Sequence, residues 1–148
     1  MREVIYTLRF RGMAAPLGTA GNVLKAATSA PSASFTSQIG PGGLTSSNLP
    51  AEGGEATFES EVTFTGETSF LETGTIGFGD GNGLRFSTVG NGFFGSSAEP
   101  GLNHGTVMWK VDEGTGQFAG ATGLITSNFF VTESLEVTDH HFGVLLLP

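Results

Sequence analysis

The chain has 148 residues, which suits one domain spanning residues 1–148. A chain of that length can bury roughly 70% of its unfolded surface. Six Lys and Arg against fourteen Asp and Glu leave a net charge of −8, a balance that argues against nucleic acid or anionic membrane as a partner.

Twenty-four Gly and thirteen Phe with 14% charged residues are unlike a disordered chain, which is rich in charge and poor in aromatics. No cysteine is present, so there is no disulfide framework and no thiolate chemistry.

Residues 2–12, REVIYTLRFRG, set Val4, Tyr6, Leu8 and Phe10 against Glu3, Thr7, Arg9 and Arg11. The period of two predicts a half-buried strand, and no continuous apolar run marks a signal peptide. A cytoplasmic location is therefore expected. Residues 12–54 are rich in Ala, Gly, Ser and Pro. Within them GNVLKAATS reads as a short helix or a weak strand, ASFTSQI as a strand and GPGGLTSSNLPAEGG as a loop.

From residue 54 the pattern is β throughout. GEATFESEVTFTG places Phe58, Val62 and Phe64 on one face and Thr57, Glu59, Glu61 and Thr63 on the other. TSFLETGTIGFG, GLRFSTVGNGFFG, GTVMWKVDE, GLITSNFFVTE and HHFGVLLL follow as strands, rich in β-branched and aromatic residues. Gly79-Asp-Gly-Asn-Gly83, Pro100-Gly101 and Glu113-Gly-Thr-Gly116 separate them as turns. Strands recurring about every 10–15 residues, with no long helical pattern, predict an antiparallel sandwich or closed barrel.

The last strand is apolar on both faces, with Phe142, Val144 and Leu146 on one and Leu145 and Leu147 on the other. It should be covered on both sides. A homo-oligomer with this strand near the contact is the preferred reading, and a sandwich-core strand capped by a loop is the alternative. The run FGVLLLP is too short to span a bilayer.

Residues 114–123, GTGQFAGATG, satisfy a loose dinucleotide-binding pattern through Gly114, Gly116 and Ala119. That pattern needs a helix after the turn. The β-branched, aromatic segment that follows predicts a tight β-turn instead. Gly114-Thr115-Gly116, Phe118, Ala121 and Gly123, preceded by the strand MWKV, resemble the signature of the allene oxide cyclase and dirigent families. The resemblance implies an eight-stranded antiparallel barrel with an apolar cavity. It implies a commonly trimeric protein that acts on hydrophobic small molecules without metal or organic cofactor. The close match covers about 15 residues, with Glu113 where the families favour a further glycine, and no catalytic position carries over residue by residue.

Six side chains are candidates for the polar groups of such a cavity: Tyr6, Glu61, Arg85, His104 and His141 as catalytic groups and Trp109 as a ligand contact. Paired carboxylates such as Glu59 and Glu61 suit acid–base work, although they equally suit a solvated outer face. Arg85 is either a carboxylate anchor or the partner of a nearby Glu. Tyr6 and Trp109, the only Tyr and Trp, are core or cavity lining.

Asp139-His140-His141 has the composition of a metal cluster, but neighbouring strand residues point to opposite faces. A metal-dependent hydrolase using His104, His140 or His141 is thus the weakest reading. No Ser or Thr sits in a nucleophile elbow.

The function expected is binding of a hydrophobic small molecule, with cofactor-free isomerisation or cyclisation as the reaction such a cavity would support. The alternative is a non-catalytic structural or binding barrel. An open cavity of several hundred cubic ångströms with two buried ionisable groups would favour the first, and a lumen packed solid with Phe would oppose it.

Overall fold

The computed structural model describes residues 1–148. Nine strands follow in order: β1 (Arg2–Pro16), β2 (Val23–Gly40), β3 (Gly43–Phe64), β4 (Ser69–Gly77), β5 (Gly83–Thr88), β6 (Gly92–Ser96), β7 (Leu102–Thr115), β8 (Thr122–Thr132) and β9 (Glu136–Leu147). The only helical residues are the 3-10 turn Gly116–Phe118. No helix is long and apolar enough to cross a membrane.

Pairing runs β3-β2-β1-β9-β8-β7-β5-β4 and returns from β4 to β3. Eight strands therefore form one antiparallel hydrogen-bonded ring. β6 is not a ninth place in it. β5 lies along Trp109–Thr115 of β7 and β6 along Asn103–Thr106 of the same strand. On the other side, Thr73–Gly77 of β4 pair with β5 and Ser69–Phe70 with β6. One ring position is thus a strand broken at Val89–Asn91. Thr88 spans the break with its side chain: its Oγ1 accepts from the Glu72 backbone N–H (2.7 Å) and donates to the Glu72 carbonyl (2.8 Å).

Alternation decides what enters the ring. Phe10, Ala26, Ala30, Phe58, Ile76, Phe86, Trp109, Ile125 and Leu145 are buried, each contributing on the order of 1–3 kcal/mol in proportion to its apolar area. Four interior glycines lie directly opposite aromatic residues on the neighbouring strand. The pairs are Gly143 with Tyr6, Gly105 with Phe129, Gly74 with Phe86 and Gly92 with Phe70. A Cβ on Gly143 would stand 2.2 Å from the Tyr6 ring, and one on Gly92 would stand 2.2 Å from the Phe70 ring. Each bare glycine lets a ring lie across its strand, which ties the glycine content to the phenylalanine content.

The interior rings form three tiers. Phe64, Phe70, Phe94 and Phe129 meet edge-on or stacked at one end. Phe10, Phe58, Phe86, Trp109 and His141 fill the middle, with the Phe86–Trp109 centroids 4.3 Å apart. Tyr6, Phe78 and Phe118 close the other end.

One open reading is resolved and one expectation changes. Of the two readings of residues 21–29, strand holds from Val23 on, and residues 43–54 are strand, not loop. They extend because each finds a partner: Ala33–Gly40 pair with Gly43–Pro50 in a hairpin that leaves the ring. The hairpin departs at an irregularity between Pro31 and Ala33, where Ser32 Oγ donates to the Gly54 carbonyl (2.7 Å). β1 accordingly pairs with β2 only over Arg11–Pro16. Beyond that point the hairpin arm and the first half of β1 face each other without ladder hydrogen bonds.

The turn after β7 is a strand connection without a following helix, which removes the dinucleotide reading. Gly116 has φ +62°, and a Cβ there would meet Asn82 Oδ1 at 2.3 Å. Asn82 Oδ1 accepts from the Gln117 N–H (2.7 Å), and Thr115 Oγ1 donates to the Gly81 carbonyl (2.9 Å). The turn is thereby fastened to the Asp80–Asn82 turn.

Candidate functional site

The Phe64–Phe70–Phe94–Phe129 tier borders an apolar pocket of about 170 Å³. Ala26, Val62, Val131, Leu135 and Val137 complete its apolar wall. Three acidic residues also line it: Glu133, exposed at its edge, and Glu72 and Asp139 within. The latter two are buried.

Glu72 reaches the interior because it keeps register with Phe70, Gly74 and Ile76 on β4. Ser60 Oγ, from β3, donates to Glu72 Oε2 (2.6 Å). Burial raises the Glu72 pKa from 4.5 to about 8; the Ser60 hydrogen bond opposes the rise and the nearby Asp139 adds to it. At neutral pH this carboxyl is mostly protonated, with Oε1 free of any protein donor. The Trp109 indole also lowers the Glu72 pKa slightly, yet its Nε1 has no partner at hydrogen-bond geometry. It sits near the carboxyl without bonding it.

Asp139 stands in a different setting. Ser127 Oγ donates to Oδ1 (2.5 Å), and His141 Nε2 lies 2.9 Å from Oδ2. Ser127 and His141 are both fully buried. This is not a nucleophilic triad, in which histidine stands between serine and carboxylate. Here the carboxylate stands between the other two, so nothing activates Ser127. The arrangement offers one protonated carboxyl beside one whose two oxygens are held by donors. Two carboxyls in unlike environments form the pattern that divides acid from base roles.

Four buried polar atoms have no partner within the protein: Tyr6 Oη, Thr28 Oγ1, Trp109 Nε1 and His141 Nδ1. Burial of the Tyr6 hydroxyl raises its pKa, and Asp139 raises it further.

Of the sequence candidates, Tyr6, Trp109 and His141 point inward, and the Trp109 and His141 rings are 5.0 Å apart. Glu61 is exposed on the outer face of β3, across from Lys25 and Thr73. Arg85 is also outside and pairs with Glu113 at 2.8 Å, its side chain 62% exposed. His104 is half-buried on the outer face between Phe93 and Phe130.

The ring wall therefore separates Glu61, Arg85 and His104 from the other three. It also separates His140 from His141. No three His, Asp or Glu side chains converge as a metal site would require. The residues not anticipated are Ser60, Glu72, Ser127 and Asp139. Each is a polar residue in step with an apolar alternation, and that was the available signal.

No protein-family model, curated protein or solved structure is significantly similar to the chain.

Proposed function

We propose that the ring is a barrel of the allene oxide cyclase and dirigent kind and that its interior takes up a small apolar molecule. The ring of eight antiparallel strands supports the first part, together with the place of Gly114–Gly123 as the β7–β8 connection. The observation that carries the second is a buried carboxyl, its pKa raised by burial, on a mostly apolar pocket wall. A desolvated acid is costly to keep, and such groups concentrate where proton transfer is needed.

The pocket volume sets the ligand size. An engineered cavity of about 150 Å³ holds benzene, so one ring-sized molecule fits. The reaction this favours is isomerisation or cyclisation without a cofactor. Glu72 Oε1 donates a proton to the substrate, Asp139 faces the cation so formed, the Glu72 carboxylate takes a proton back as the product forms, and the phenylalanine wall holds one conformer.

A second reading has its own observation. Phe10, Phe58, Phe86 and Trp109 fill the middle of the ring, so the open space is well short of several hundred cubic ångströms. In that reading the pocket binds a ligand and transforms nothing.

Uptake of benzene, followed by protein methyl resonances, tests the shared claim. Ala26→Phe fills the pocket and should abolish uptake with the fold intact. Saturable uptake at the same sites in that variant would contradict the proposal. Turnover of any bound substrate should fall at least tenfold in Glu72→Gln under the catalytic reading and stay unchanged under the binding reading.

A further inference from the structure

A second cleft lies outside the ring, where the hairpin arm leaves β1. It has a volume of about 170 Å³ and is lined by Arg9, Arg11, Ser29, Asn48, Pro31 and Pro50, among others. Arg9 and Arg11 share the outer face of β1, two residues apart, because Phe10 between them points inward.

Acidic residues outnumber basic ones by fourteen to six, and the other two basic residues at ring strands with close acids, Arg85 and Lys110, are paired with Glu113 and Asp112. Neither Arg9 nor Arg11 has a carboxylate within ion-pair distance.

Arg9 is nonetheless held in place. Its Nε donates to His140 Nε2 (3.1 Å), and its guanidinium lies 5.8 Å from the centre of the Phe35 ring on the arm. Accepting that bond requires a neutral imidazole at Nε2. Partial burial and then the Arg9 charge lower the His140 pKa, in keeping with this. Two cations crowd one imidazole, so the cleft concentrates positive charge in an acidic molecule. The terminal guanidinium nitrogens of Arg9 and Arg11 make no hydrogen bond to the protein, and neither do the Ser29 hydroxyl and the Asn48 amide. Ser32 Oγ already donates to Gly54 and can only accept.

We infer that this cleft binds a small oxyanion, a phosphate or carboxylate group, between Arg9 and Arg11 with Ser29 and Asn48 as added donors. Guanidinium groups match such anions in geometry as well as charge. The arm supplies Asn48 and Pro50 from β3, so the site exists only where the arm folds back over β1.

The inference is independent of the interior pocket. The test titrates the protein with inorganic phosphate and, separately, acetate at constant ionic strength, reading the arginine Nε–H resonances by NMR. Saturable shifts at Arg9 and Arg11 with either anion, at least tenfold weaker in Arg11→Gln and unchanged in Arg2→Gln, are expected. Phosphate alone would identify a phosphate site, and both anions a general oxyanion site. Arg11 is exposed, so its replacement should leave the fold intact; Asn48→Ala provides a second variant, expected to weaken binding severalfold. No saturable shift with either anion, or equal binding in Arg11→Gln, would overturn the inference.

Discussion

Glu72 is the residue on which most depends. Its folded pKa of about 8 lies above the ordinary 4.5. Below pH 4.5 both folded and unfolded chains hold the proton, and this group has no effect on stability. Between about 4.5 and 8 the unfolded chain releases the proton while the folded chain keeps it. Stability therefore falls as pH rises through that window, by about 1.4 kcal/mol per unit while the difference lasts.

Glu72→Gln keeps a polar group for Ser60 and removes the titration. Urea denaturation at pH 5 and pH 9 should show wild type losing several kcal/mol more than the variant. Equal losses would place the Glu72 pKa near its ordinary value. The sequence hid this residue in plain view. Phe70, Glu72, Gly74 and Ile76 alternate as one face, but the neighbouring Leu71 makes either face of the segment a fair core. Tyr6, Trp109 and His141 were legible because each alternates with residues of clear character. Glu61 drew attention by pairing with Glu59, yet that pair stands on the solvent face of β3.

At the scale of the element, the informative units are cross-strand pairs of glycine and aromatic. Gly105, like Gly74, also lies against backbone. A Cβ there would stand 2.3 Å from the Phe129 ring and 2.3 Å from the Phe93 carbonyl. Moving the ring alone would not relieve the clash. Gly105→Ala should destabilise the protein by about 1–3 kcal/mol, read as a lower melting temperature. Gly42→Ala, whose added Cβ meets nothing within 4 Å, should change it by less than about 0.5 kcal/mol.

Strands were readable from the sequence wherever apolar residues alternated, as in β1 and β7, or ran together, as in β9. The arm was not readable past Ile39. Residues 43–50 carry almost no apolar pattern, and their extension depends on a partner strand that no local signal names. The break between β5 and β6 was equally hidden, since Thr88 and Glu72 meet only in the folded sheet.

For the molecule as a whole, the outer surface carries a patch of exposed apolar side chains. Ile5, Leu124, Phe142 and Met108 are exposed on adjacent strands β1, β8, β9 and β7. Phe142 is 49% exposed, so the second apolar face of the last strand is not covered within one chain. A second copy is the partner proposed for it, because one patch repeated on two subunits is self-complementary. Native mass spectrometry should find an oligomer, and Phe142→Lys should shift it toward monomer. A wild-type monomer at every concentration would count against that contact.

The interior and exterior thus have separate tasks: a ring whose middle is filled by aromatic residues, a small pocket at one end, and an outer surface left for association. The pocket is the part on which the proposed function rests. Benzene titration of the methyl-labelled protein tests it most directly. The account predicts saturable shifts at Leu24, Val62, Val131, Leu135 and Val137, which line the pocket, with Ile5, Leu124 and Val144 unmoved. No saturable shift, or shifts confined to those outer-face residues, would contradict it.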